Sequence, residues 1–185
     1  MTDTVDSRRR TTLLWAATAA VVACTGARAA DAAFQAPNVV PVSARLVTSG
    51  QPTAATLAGL SAQGFGAVIY LAPSTVSDAV PGEADIVRRQ GLEFVHIPIE
   101  FGNPTAADFE SFVEAMRRLR ERKVLVHCRV NMRASTLTFL YRAIIGREPP
   151  EQAYEAVAKV WSPGGPWRRL LVAELRKAGI AFEPY

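Results

Sequence analysis

"VLVHCRVNMRASTLTFLY", residues 124–141, is the stretch on which the reading of this chain turns. It opens with a short apolar run of strand length (Val124, Leu125, Val126) and passes into a helical segment expected from about Arg133 to Ile145. Between the two stand Cys128 and Arg133. A thiolate beside a helix N-terminus is favoured by the helix dipole and by the unpaired N–H groups there. Those same groups can hold an anion, and an arginine on the first turn adds a planar, two-pronged donor. The stretch therefore reads as a cup for an oxyanion beside a reactive thiol. Three uses of such a cup are open at this level: catalysis, sulfur carriage, or binding alone.

Working outward, the rest of the chain alternates strands with helices. "ARLVTSGQP" (44–52) reads as a short strand ending in a turn, and Thr53 as the cap of a helix running to Gln63, closed by Gly64. "GAVIYLA" (66–72) and "LEFVHIPI" (92–99) are strands, with a short helix over 82–91 between them. Thr105 and Asp108 form a capping box for a helix whose core stripe is Phe109, Phe112, Val113, Met116 and Leu119. Further helices are expected over 151–161 and 167–177, separated by "SPGGP". This alternation predicts an α/β fold: a three-layer sandwich with a central, mainly parallel sheet and helices on both faces. Ligands in such folds sit at the carboxyl ends of the strands. Cys128 and Glu100 both fall at that rim.

The N-terminus carries a different message. Arg8, Arg9 and Arg10 precede an apolar stretch from about Leu13 to Ala23, and Ala27-Arg28-Ala29 has the small-residue pattern of a cleavage site. Residues 1–29 are expected to be a signal peptide, 30–42 a tether, and 43–185 a single domain. Two variants of export are open, a twin-arginine signal and a weak lipobox, "VVAC" (21–24), that would place a lipid anchor on Cys24. Either way the expected location is periplasmic or secreted in a bacterium, with no transmembrane span after processing, because the apolar run is short for a bilayer. The chain's two cysteines are then reduced to Cys128 alone, so no internal disulfide is expected. A net charge of +4 falls to +2 once four arginines and two aspartates leave with residues 1–29. That balance, without a reading motif, argues against a nucleic-acid partner. No metal-ligand cluster, dinucleotide fingerprint or Walker loop is present, so no cofactor is expected.

The chemistry of the cup follows from its parts. In-line attack on a phosphate ester needs a nucleophile at the base and donors for the equatorial oxygens. Cys128 is placed to supply the first, and the free N–H groups at the helix N-terminus together with Arg133 the second. Ser135, one turn in, is placed to hydrogen-bond the sulfur. Glu100 is the candidate general acid, with Asp108 second because capping already accounts for it. His127 is expected to point away from Cys128 and to brace the loop, since neighbouring strand residues alternate. His96 reads as a half-buried strand histidine. Trp161 and Trp167 flank the Gly-Pro loop and are expected to pack the last helix.

"VHC" followed by an arginine and "AS" resembles the cysteine-based protein tyrosine and dual-specificity phosphatases. More narrowly, "SGQP", "GAVIYLAP", "HIPIEFGNPTAADFESF" and "VHCRVNMRASTLTFLYR", in that order, are similar to the phosphatase-like domain of beta-lactamase-hydrolase-like proteins. The resemblance covers roughly residues 44–145. It implies a phosphatase-type fold, Cys128 as nucleophile, residues 129–132 as oxyanion cradle, Arg133 as clamp, and a phosphorylated small molecule or protein as substrate. This chain departs from the phosphatase pattern in one respect above all: four residues, not five, separate Cys128 from Arg133, so Ala134 falls where the arginine belongs. The loop also lacks the usual glycines, which leaves Asn131 to take a left-handed conformation. A six-residue loop from cysteine to arginine resembles that of the rhodanese sulfurtransferases, so a Cys128 persulfide carrier stands as the alternative, beside a non-catalytic oxyanion-binding pseudophosphatase.

Overall fold

A computed structural model describes residues 1–2 and 34–185; the expected signal peptide beyond its first two residues, and Cys24, lie outside them. Five strands form one sheet: β1 (Val40–Ser43), β2 (Leu46–Ser49), β3 (Ala67–Tyr70), β4 (Glu93–His96) and β5 (Val124–His127). Their order is β1-β2-β5-β3-β4. Every pairing is parallel except β1 with β2. The two strands whose side chains are all buried, β3 and β5, are neighbours in the middle. A strand that is apolar on both faces must be covered on both.

That cover divides along β5. Leu125 joins Val68 in a cluster under α1 (Ala54–Ala58) and α2 (Glu83–Arg88), with Leu57, Leu60 and Val87. Val124 and Val126 face the other way. They pack in the larger core beneath α3 (Ala106–Arg118), α4 (Met132–Leu140), α5 (Pro150–Ala158) and α6 (Gly165–Lys177), which contributes Phe112, Phe139, Tyr154 and Trp167. This is the expected three-layer α/β sandwich. The capping box of α3 is also present: Asp108 N donates to Thr105 Oγ1 at 3.1 Å, and Thr105 N donates to Asp108 Oδ2 at 2.8 Å.

Elsewhere the tertiary structure redraws the boundaries. The stretch expected as a tether is docked from residue 34 onward, and its end forms β1. Gln35 N donates to Thr56 Oγ1, Gly50 N to Pro37 O, and Thr53 N to Gln35 O. The helix expected to reach Gln63 stops at Ala58, and a 3-10 turn (Ser61–Gln63) follows. Gly59 caps the first piece, its N–H donating to Thr56 O; Leu57 and Leu60 are both buried, and Gly64 closes the turn at φ 79°. The helix after the cysteine ends at Leu140 and widens into a π turn, Tyr141–Ile145.

Register decides where chemistry can collect. Ser49, His127, Tyr70 and His96 stand level across the last rung of β2, β5, β3 and β4. Cys128 is one residue beyond that rung, at the carboxyl rim.

Candidate active site

The loop after β5 is held from the strand side before the helix begins. Cys128 N donates to Ser49 O at 3.2 Å, and Gln51 N donates to Arg129 O at 2.9 Å. Gly50 bridges Val130, and a Cβ at Gly50 would stand 2.7 Å from Arg129 O, so only glycine permits the approach. Asn131 then reverses the chain at φ 72°. Its fully buried side chain fixes the turn: Nδ2 donates to Asn38 O at 2.6 Å and to Thr48 Oγ1 at 3.1 Å. Left-handed backbone is the expected use of an asparagine in a loop without glycine. α4 starts at the next residue, and among the described residues the N–H groups of Arg129, Met132 and Arg133 have no protein acceptor. Such unpaired donors are what an anion would meet.

Arg133 lies on the first turn of α4 and is buried. Its Nε donates to Ile99 O at 2.9 Å, and its Cζ lies 5.0 Å from the centre of the Phe101 ring. Its two Nη groups have no protein acceptor among the described residues. Ala134 sits in the main core instead. Thus the shortened loop carries an arginine at the rim, and the position to which the longer pattern assigns it is apolar packing.

Cys128 is fully buried and belongs to the larger core cluster, whereas His127 faces the opposite side of the sheet. His127 Nε2 is 2.6 Å from Glu83 Oε1 on α2, and Gln51 Nε2 donates to Glu83 Oε2 at 2.8 Å. The loop is thereby tied to α2 through a buried histidine–carboxylate contact. Tyr70 stacks between His127 and His96, with ring centres 4.7 and 5.0 Å away. Burial, helped by the negative charges of Glu83 and Asp78, pushes the Tyr70 hydroxyl up to about 12; Arg133 acts in the opposite sense. Arg129 reaches outward to Asp78, Nε to Oδ1 3.2 Å, at a half-exposed position.

Ser135 and Glu100 are placed less favourably than expected. The Ser135 hydroxyl donates to Met132 O at 3.3 Å, within its own helix, and makes no bond to the Cys128 sulfur. A serine in the first turn finds a local carbonyl acceptor more readily than a sulfur. Glu100 is exposed and its side chain has no partner among the described residues; its carbonyl accepts from Asn103 N at 3.1 Å. The backbone on either side of Glu100 is fixed, however. Arg133 holds Ile99 O, and Trp167 Nε1 donates to Phe101 O at 2.9 Å. Phe101, Trp161 and Trp167 form an aromatic wall with centre separations of 5.7–6.4 Å. Among the described residues no group of three or more His, Cys, Asp or Glu side chains is arranged to hold a metal.

A family model described as a DSP-PTPase phosphatase fused to NAD+ kinase matches residues 28–162. The chain belongs to this family. A DUF442 protein from Shewanella putrefaciens CN-32, described as a phosphatase, superposes with a TM-score of 0.71 and is 30% identical, over 77% of this chain and 94% of that one. Beta-lactamase hydrolase-like proteins from Agrobacterium fabrum and Xylella fastidiosa are 34% and 33% identical over 113 residues. That match takes in 60% of this chain but only 26% of each relative, so the chain spans about a quarter of their length. Tk-PTP, at 23% identity and a TM-score of 0.60, shares the fold. Family and fold together make this a phosphatase-type protein.

Several residues around the candidate site are ones that sequence reasoning passed over. Tyr70 is hidden in an apolar run. Glu83 looks like an ordinary first-turn acid, and Asp78 like a solvated loop residue. Gln51 and Phe101 fall inside segments that carry the family resemblance, but neither was given a role. Each acquires its place only through a partner more than twenty positions away, Phe101 through Trp167 and Gln51 through Glu83 among them.

Proposed function

We propose that the chain is a cysteine-dependent phosphatase that hydrolyses phosphate monoesters through a cysteinyl-phosphate intermediate. The observation that carries this reading is the shortened loop: Asn131 turns the chain, Arg133 is anchored at the rim by Ile99 O, and its Nη groups remain available. In this mechanism the Cys128 thiolate attacks phosphorus in line while Arg133 and the loop N–H groups, residues 129–133, stabilise the equatorial oxygens. Glu100 donates a proton to the leaving oxygen and then activates water. The loop that carries it is fixed at Ile99 and Phe101, which leaves its side chain free to turn toward the ester. Substrates are phosphorylated small molecules or proteins, of the tyrosine or dual-specificity class. The N-terminal sequence 1–29 supports action outside the cytoplasm, in the periplasm or beyond, with Cys24 as the site of an alternative lipid anchor.

Hydrolysis of a chromogenic aryl phosphate by the full chain is the test. Wild type is expected to turn over, and Cys128→Ser to abolish turnover while retaining phosphate binding. The six-residue loop favours a second reading, sulfur carriage as a Cys128 persulfide. Inactivity on aryl phosphates together with sulfur transfer from thiosulfate to cyanide would establish that reading in place of the first. Neither activity, with Arg133-dependent phosphate binding, would leave a binding module.

A further inference from the structure

The last helix breaks its own pattern. In α6 the core-facing stripe is Trp167, Leu170, Leu171 and Leu175, and Glu174 stands inside it. A carboxylate on a core face is costly unless something pairs with it. Glu174 is only 8% exposed, and among the described residues its side chain enters no hydrogen bond and no ion pair. Its oxygens are nevertheless not sealed in. They open on a cavity of about 440 Å³ that lies between α3, α6 and the π turn. This volume is in the range of small-molecule sites.

The apolar part of the wall is Phe109 and Val113 from α3 and Ile144 and Ile145 from the π turn; most of the rest of the lining is charged, with Glu110, Glu114 and Glu174 against Arg117 and Lys177, so carboxylates outnumber cations. A π turn in a helix is uncommon and is frequent at functional sites. Charges at the mouth do not neutralise Glu174. Lys177 lies 3.8 Å from Glu110, with both side chains well exposed, and Arg117 is exposed in solvent. None of the lining residues belongs to the cysteine loop or to the loop after β4.

We propose that this cavity is a second binding site, selective for a small organic cation. Its apolar body packs against Phe109, Val113, Ile144 and Ile145, and its ammonium group pairs with Glu174. The ligand is opposite in charge to anything the Cys128 cup would take. An anion would meet an uncompensated carboxylate, and a neutral apolar molecule would leave that carboxylate unpaired and deprived of water. The site does not depend on the phosphatase reading.

Calorimetric titration of the full chain with 4-phenylbutylammonium, 4-phenylbutanol and 4-phenylbutyrate tests the proposal. The ammonium is expected to bind saturably at one site, about tenfold or more tighter than the alcohol, because only it forms a charge-assisted bond. The carboxylate is expected not to bind. Glu174→Gln, nearly isosteric, should bring the ammonium down to the level of the alcohol. Absence of saturable ammonium binding, equal binding of all three compounds, or full binding by a folded Glu174→Gln protein would each overturn it. Should that variant fail to fold, amide shifts in the wild-type protein decide: changes centred on Val113, Ile144 and Ile145 support the site, and changes elsewhere reject it.

Discussion

The loop after β5 and the loop after β4 reach the same rim of the sheet, but they are held by different kinds of bond. Residues 128–131 are fixed through both backbone and side chain: Cys128 N on Ser49, Arg129 O on Gln51, Asn131 on Asn38 and Thr48, and Gly50 in close contact behind. The loop after β4 is fixed at two carbonyls, Ile99 by Arg133 and Phe101 by Trp167, while the side chains of Glu100 and Phe101 stay exposed. A nucleophile and its anion cradle gain from being preorganised, because charge develops there in a fixed geometry. In the proposed mechanism the proton donor has to follow leaving groups of different shape, and an anchored backbone with an exposed carboxylate allows that. Arg133 lies in one loop and holds the other, so under that proposal one guanidinium serves both the anion cradle and the acid loop.

Removing that shared residue is the strongest way to break the contrast. Arg133→Ala should lower kcat/KM for an aryl phosphate on the order of 10³-fold, since it deletes oxyanion donors and releases Ile99 together. Arg133→Lys keeps charge but loses the fork, and about 10²-fold loss is expected. Equal activity of the lysine variant and wild type would show that the fork geometry does not matter. Glu100→Gln comes next, with a fall of about 10²-fold for poor leaving groups and little change for good ones. If both substrate types are unaffected, the acid lies elsewhere, and Asp78 becomes the carboxylate to test.

Stability effects are smaller and sharpen the other half of the comparison. Asn131→Ala removes two side-chain hydrogen bonds and leaves alanine at positive φ, which should cost about 2–4 kcal/mol in urea unfolding. Asn131→Gly keeps the backbone conformation and should cost about half as much. Tyr70 gives the subtlest signal. Its hydroxyl ordinarily ionises near 10.0 but is pushed up to about 12 in the fold, so the folded state holds that proton longer than the unfolded chain does. The stabilisation is complete below pH 10 and declines as pH rises toward 12. Phenolate absorbance should show this late step, and Tyr70→Phe should remove it and flatten the alkaline loss of stability.

Much of the frame was legible because it rests on short-range patterns. The buried runs at 67–70 and 124–127, the Thr105–Asp108 capping box, and the alternation that turns His127 away from Cys128 are all local. Asn131 was expected to take the left-handed conformation, and it does. The departures from the sequence pattern have different physical causes. Thr53–Gln63 reads as one helix, yet it ends at Ala58 with Gly59 as its cap, and the extended tether expected over 30–42 is, from residue 34 on, claimed by hydrogen bonds to residues 50–56. Ser135 sits at the right spacing for the sulfur, yet its hydroxyl donates to a carbonyl in its own turn.

The sequence by itself determined the kind of site: one cysteine after a buried strand, an arginine five positions on, and a helix to carry it, because periodicity and helix-end chemistry are written locally. Tertiary structure alone decided which groups surround them. Glu83 beneath His127, Asp78 on Arg129, the aromatic wall around Phe101, and the cavity that sets Glu174 beside Phe109 and Ile144 all join residues far apart in the chain. Such pairings are fixed by how layers pack and which strands share a register, and no single segment contains that information.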